Sequence, residues 1–205
     1  MSAEARILAR RRPGTCQGAL IGPNAVLQAV AVMEERLGVA ETRAVLVDAQ
    51  IHGLPSGEAM IPEVGALRLH RWLALHDPMG CFVIAEEAGA RTADYIIANR
   101  IPKFAVWLLR RLPATLAAPL LMAAIRKHAW TFVGAGLFVP QGAWQFTIDR
   151  SNTDDPVPVP ESLFHWYAAV FTRLYRELVA SDCICRIFTP ELGFRLVRSF
   201  HIGRG

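Results

Sequence analysis

At 205 residues and 22.6 kDa the chain is long enough for one compact domain with its own core. An apolar fraction of 53% against 20% charged residues, with a mean hydropathy of +0.28, excludes a disordered chain and leaves apolar surface to be placed in a pocket, at an interface or against a membrane. The net charge of +4 comes partly from Arg6, Arg10, Arg11 and Arg12, and the remaining cations stand singly or in pairs beside leucine and proline, which argues against a nucleic-acid surface.

No apolar run follows the arginine cluster that would serve as a secretory signal core. The apolar stretch 112–125 is broken by Pro113 and Pro119 and falls short of the roughly 20 residues a bilayer requires, so a cytoplasmic location is expected. Residues 1–20 read as a flexible basic arm and residues 21–205 as a single domain. Gly22, Pro23 and Asn24 open a helix on which Val26, Val30, Met33 and Leu37 recur until Gly38 closes it. A shorter helix over 41–51 precedes a loop with Gly53, Pro55 and Gly57, and another helix runs from Pro62 to the stop at Asp77 and Pro78. The segment 82–99 is helical and rich in small residues, with Gly89 a weak point in its middle. Pro102 and Pro113 then start two further helices, proline being tolerated at a first turn.

The second half changes character. Segments 132–139 and 143–150 read as a β-hairpin turning at Pro140, Gln141 and Gly142. A polar connector over 151–160 leads to a long amphipathic helix over 161–180, with Leu163, Leu174 and Leu178 on one face. Segments 183–188 and 194–200 read as a final pair of strands turning at 190–193. The fold class is therefore α+β, a helical N-terminal half followed by an antiparallel sheet with a long packed helix.

No redox-cofactor motif is found. Gly134 and Gly136 precede a strand and lack the third glycine of a dinucleotide fingerprint, and there is no P-loop, no HExxH and no Gly-x-Ser-x-Gly elbow. Cys16, Cys81, Cys183 and Cys185 lack the spacing of a zinc or iron-sulfur site, so no metal ligand is expected among them. Ligand-binding candidates cluster instead in Ile125-Arg126-Lys127-His128-Ala129-Trp130-Thr131-Phe132, where an imidazole, two cations and two aromatics fall within eight residues. His165, beside Trp166 and Tyr167, is a second imidazole, and Arg100 and Lys103 are candidate anion contacts. Each has a plainer alternative, as a helix cap, core group or solvated end. Glu63 and the pair Glu86 and Glu87 lie near apolar residues, where burial would allow proton donation and exposure would leave ordinary surface charge.

Several strings resemble the bacteriochlorophyll 4-vinyl reductase family (BchJ): Ile21-Gly22-Pro23-Asn24-Ala25-Val26, Met60-Ile61-Pro62-Glu63, Asn99-Arg100-Ile101-Pro102, the segment around His128, and His165-Trp166 with Ala168-Ala169-Val170-Phe171. They span residues 21 to about 180. The resemblance implies a role at the stage where the C8 vinyl group of a divinyl tetrapyrrole becomes ethyl. It also implies a 4-vinyl reductase domain similar to a subunit of the vesicle-tethering TRAPP complex, with a homodimer by analogy. Two functions follow. One is a carrier or assembly factor for a divinyl magnesium tetrapyrrole, with no intrinsic cofactor. The other is a reductase with an external electron donor, in which Glu63 or Tyr95 supplies a proton. A magnesium tetrapyrrole requires an apolar slot, one imidazole and a cation near the ring carboxylates, which His128, His165, Trp130, Phe132, Arg100, Lys103, Arg126 and Lys127 could provide. The expected partners are a chlorophyll precursor, other pigment-biosynthesis enzymes and a membrane contacted peripherally. The Cys-x-Phe strand with which the broader 4-vinyl reductase domain commonly finishes has no counterpart after Cys185.

Overall fold

Proline sets where most of the helices begin. The computed structural model describes residues 18–151, 159–188 and 196–205, and among these the chain forms seven α-helices and six strands. In order they are β1 (Leu20–Ile21), α1 (Asn24–Leu37), α2 (Val39–Asp48), β2 (Ile61–Pro62), α3 (Glu63–His76), α4 (Gly80–Asn99), α5 (Lys103–Arg111) and α6 (Ala114–His128). A 3-10 turn (Ala129–Thr131) leads to β3 (Leu137–Pro140), β4 (Gln145–Asp149), α7 (Glu161–Leu178), β5 (Cys183–Phe188) and β6 (Val197–Arg204). Pro23, Pro62, Pro102, Pro113 and Pro160 stand immediately before α1, α3, α5, α6 and α7, each with φ between −67° and −55°. Their missing N–H has no intrahelical partner at that place, so the ring costs nothing and fixes the entry. Pro119 differs, lying inside α6 on its exposed side, where the carbonyl of Thr115 that it frees can reach solvent.

Helices α4 and α7 form the spine. The buried face of α4 is built from small residues, Ala85, Ala88, Gly89, Thr92 and Ala93, which let the two backbones approach closely. A Cβ added at Gly89 would lie 2.5 Å from the Trp166 carbonyl oxygen and 2.8 Å from the Ala169 Cβ. Gly89 is thus required by contact, where composition suggested a weak point. On the other side α4 carries α1, tied by Thr92 Oγ1 donating to the Asn24 carbonyl at 3.4 Å.

The sheet has the order β3-β4-β6-β5, every neighbour antiparallel, so the C-terminal strand is central and joins the two expected hairpins. Alternation on β6 buries Arg198, Phe200 and Ile202. Phe146 on β4 stacks on Phe200 at 4.6 Å and on Phe171 of α7 at 4.0 Å, which seats the long helix on the sheet.

The α+β reading holds, with differences in detail. Residues 132–136 form a turn; β3 begins only at Leu137, because the buried carboxylate of Glu63 needs their backbone in a tight bend. The short β1–β2 ladder was not legible in two-residue strands, and Leu20, at the end of the expected arm, belongs to it. Residues 1–17 of that arm, the connector over 152–158 and the turn at 190–193 lie outside the described residues.

Candidate functional site

Glu63 is not a surface charge. It starts α3 at 2% exposure and forms an ion pair with Arg150, itself 0% exposed, at the end of β4. Its second carboxylate oxygen accepts from the Ala135 N–H at 2.9 Å. Arg150 donates to the Val133 carbonyl at 2.9 Å and to Tyr167 Oη at 3.3 Å, and Tyr167 donates to the Phe132 carbonyl at 3.0 Å. Gly134, at φ +55°, has no Cβ because one would collide with the Glu63 carboxylate. Burial pushes the Tyr167 hydroxyl up to about 12, so it stays a neutral donor. This network locks α3, the 132–136 turn, β4 and α7 together. Its carboxylate oxygens are held by protein groups, which is the geometry of a structural tie.

Tyr95, the other proton-donor candidate, is half-buried near the end of α4 with the Arg100 guanidinium 5.8 Å from its ring. It stands apart from the Glu63 network, so the structure does not bring the two together. The His128 segment divides. His128 is exposed at the end of α6, its Nδ1 2.9 Å from the Ala124 carbonyl, and Trp130 is exposed while Phe132 turns inward against Phe138, Tyr167 and Phe171. Arg126, Lys127, Arg100 and Lys103 are all exposed.

His165 lies elsewhere, in the first half of α7. Its Nδ1 is 2.8 Å from Glu86 Oε1 of α4, and its ring packs against Phe82 at 4.5 Å. It borders a groove of about 430 Å³ between α4, α7 and β5. The lining joins small or apolar side chains, Ala90, Ala168, Ala169 and Ile184, to the cations Arg91, Arg173 and Arg176 and the carboxylates Glu86, Glu87 and Asp94. Most of these charges are mutually held. Arg91 takes both oxygens of Glu35 at 2.6 and 2.5 Å and one of Glu87 at 2.6 Å, and Arg173 bonds Asp94 at 2.8 Å. These bonds hold the Glu35 and Glu87 carboxyls below the usual range, the Arg91 and Arg36 guanidiniums being their main partners. Arg176 donates from Nε to the Cys183 carbonyl at 2.8 Å. The groove is thus more polar than the slot the sequence suggested; of the candidate ligand-binding residues His165 alone lines it, together with the carboxylates Glu86 and Glu87.

Cys183 and Cys185 are buried, and burial raises both thiols, so neither is a reactive thiolate. Among the described residues no group of three His, Cys, Asp or Glu is placed to hold a metal ion. Sequence reasoning missed Arg150, Gly134 and Glu86 as partners. The signals were a lone arginine closing a strand and a glycine pair far in sequence from the carboxylate it wraps.

Architecture and solved structures together define the class. The Fe(II) unliganded H-NOX protein from K. algicida superposes with a TM-score of 0.54 at 12% identity, over 90% of this chain and 97% of that one. An H-NOX protein studied for heme distortion in its family gives 0.53 at 7% identity, over 90% and 95%. These likenesses establish an H-NOX-like α+β fold. The sequence is 43% identical over 165 residues to the bacteriochlorophyll synthase 23 kDa chain of Cereibacter sphaeroides, covering 78% of each chain. It is 41% identical over 161 residues to the chain of the same name from Rhodobacter capsulatus, covering 78% of this chain and 75% of that one. The chain belongs to the bacteriochlorophyll synthase 23 kDa chain family, whose name assigns it to bacteriochlorophyll biosynthesis, in agreement with the resemblance read from its motifs. No protein-family model matches it.

Proposed function

We propose that this protein binds a magnesium tetrapyrrole intermediate of bacteriochlorophyll biosynthesis in the groove between α4, α7 and β5. It acts in the cytoplasm as a carrier or assembly factor at the stage of C8-vinyl reduction. The observation that carries the reading is the His165–Glu86 pair bordering that groove. A carboxylate accepting from Nδ1–H fixes the tautomer and ring orientation and leaves the lone pair on Nε2, which is how proteins prepare an imidazole for a metal. Ala90, Ala168 and Ala169 are small enough for a flat ring to approach both helices, and Arg176 offers a cation to a ring carboxylate. The groove volume falls in the range of about 300–1,000 Å³ typical of small-molecule sites. An open groove suits a ligand that must be handed on. We read the fold as the 4-vinyl reductase type. The H-NOX likeness, from a family described in terms of heme, supports the scaffold alone.

Two measurements test this. Titrating the purified protein with magnesium protoporphyrin in detergent-free buffer is expected to shift the Soret band to the red at micromolar pigment, and no shift would contradict binding. Anaerobic incubation with NADPH and divinyl chlorophyllide is expected to leave the vinyl group intact, whereas catalytic turnover would replace the carrier reading with a reductase.

A further inference from the structure

Helices α5 and α6 expose what a soluble surface normally buries. On α5 Phe104 and Trp107 are 69% and 51% exposed and stack on each other at 6.0 Å. On α6, joined to α5 only through Leu112 and Pro113, Leu116 and Leu120 are 54% and 51% exposed and stand one helical turn apart. Trp130, 62% exposed, follows the end of α6. Aromatic residues at such positions suit the boundary between water and hydrocarbon, where one part of the ring is wet and the rest apolar.

The charge carried by this segment of the chain has one sign. Between Asp94 and Asp149 the sequence holds six Lys and Arg residues and no Asp or Glu. Arg110 turns to Glu177 at 3.0 Å, while Lys103, Arg126 and Lys127 are exposed and the Arg111 guanidinium covers the Trp107 ring at 4.9 Å. A second copy of this chain would bring cations against cations, whereas an anionic bilayer offers the complementary charge over a flat area. No helix among the described residues is long and apolar enough to cross a membrane, so the contact is one of lying on the surface.

We propose that the α5–α6 face docks on the surface of an anionic lipid bilayer, Phe104, Trp107, Leu116 and Leu120 entering the acyl boundary and Lys103, Arg126 and Lys127 meeting lipid headgroups. This stands apart from pigment binding, since the face does not include the His165 groove.

The test is co-flotation of the full chain with vesicles of phosphatidylcholine, with and without phosphatidylglycerol, in the absence of pigment. Binding is expected only with phosphatidylglycerol and falls as salt is raised. Arg126→Glu with Lys127→Glu should weaken it by about tenfold or more, and Phe104→Ser with Trp107→Ser should abolish it. All four side chains are exposed, so the melting temperature should not move. Failure of the parent protein to float overturns the proposal. So does unchanged flotation of both double variants, which assigns binding to the N-terminal arginines. A concentration-dependent dimer that the Phe104/Trp107 variant dissolves, without vesicle binding, overturns it in favour of a second copy.

Discussion

Glu63 and Arg150 show how a charged residue can look catalytic in sequence and be structural in the fold. Removing one partner of a buried pair leaves an uncompensated charge, so Arg150→Met is expected to cost about 3–5 kcal/mol in urea denaturation. The double change with Glu63→Gln should recover part of that loss. A second buried group sets a pH dependence. Burial pushes His70 down to about 4, its Nδ1 lying 3.0 Å from Ser162 Oγ. The unfolded chain therefore binds a proton more readily, so the stability of neutral, buried His70 is complete above the unfolded value near 6.5. It is lost as pH falls through that value towards 4, by about 3 kcal/mol. Urea titrations at pH 7 and pH 4 should show His70→Leu losing less stability over this interval than the parent protein. An equal loss would place the acid sensitivity in other groups. Neither site was legible in the sequence, because Glu63 meets Arg150, and His70 meets Ser162, across separations of 87 and 92 residues that no local pattern encodes.

At the scale of elements, two glycines inside helices should respond oppositely to the same change. Gly89→Ala drives a Cβ into the Trp166 carbonyl and should destabilise by about 1–3 kcal/mol, as overpacking does. Gly65→Ala in the first turns of α3 meets nothing within 4 Å and should stabilise by about 0.4–1 kcal/mol. Thermal melts of the two variants decide it, and an unchanged or raised melting temperature for Gly89→Ala would count against the close packing of α4 on α7. The helices themselves were legible, since a proline before five of the seven starts and apolar spacing along them are local signals. Strand order was not. Period-two alternation identifies β6 as a strand, but its place between β4 and β5 depends on which edges remain unpaired once both hairpins form.

For the molecule as a whole, the groove beside His165 is where α4, α7 and β5 meet, a place that only tertiary packing creates. The sequence offered His128 and His165 as equals. The fold separates them, leaving His128 exposed at a helix end and placing His165 against Glu86 at the groove. The family, by contrast, was legible, because its short motifs are read without knowing what they touch. The central claim is that a magnesium macrocycle sits at His165. The most direct measurement is the visible spectrum of magnesium protoporphyrin bound to His165→Ala and His128→Ala, compared with the parent protein. The account predicts that His165→Ala abolishes or shifts the bound Soret band while His128→Ala leaves it unchanged. The reverse pattern, or an unaltered band in both, would contradict it.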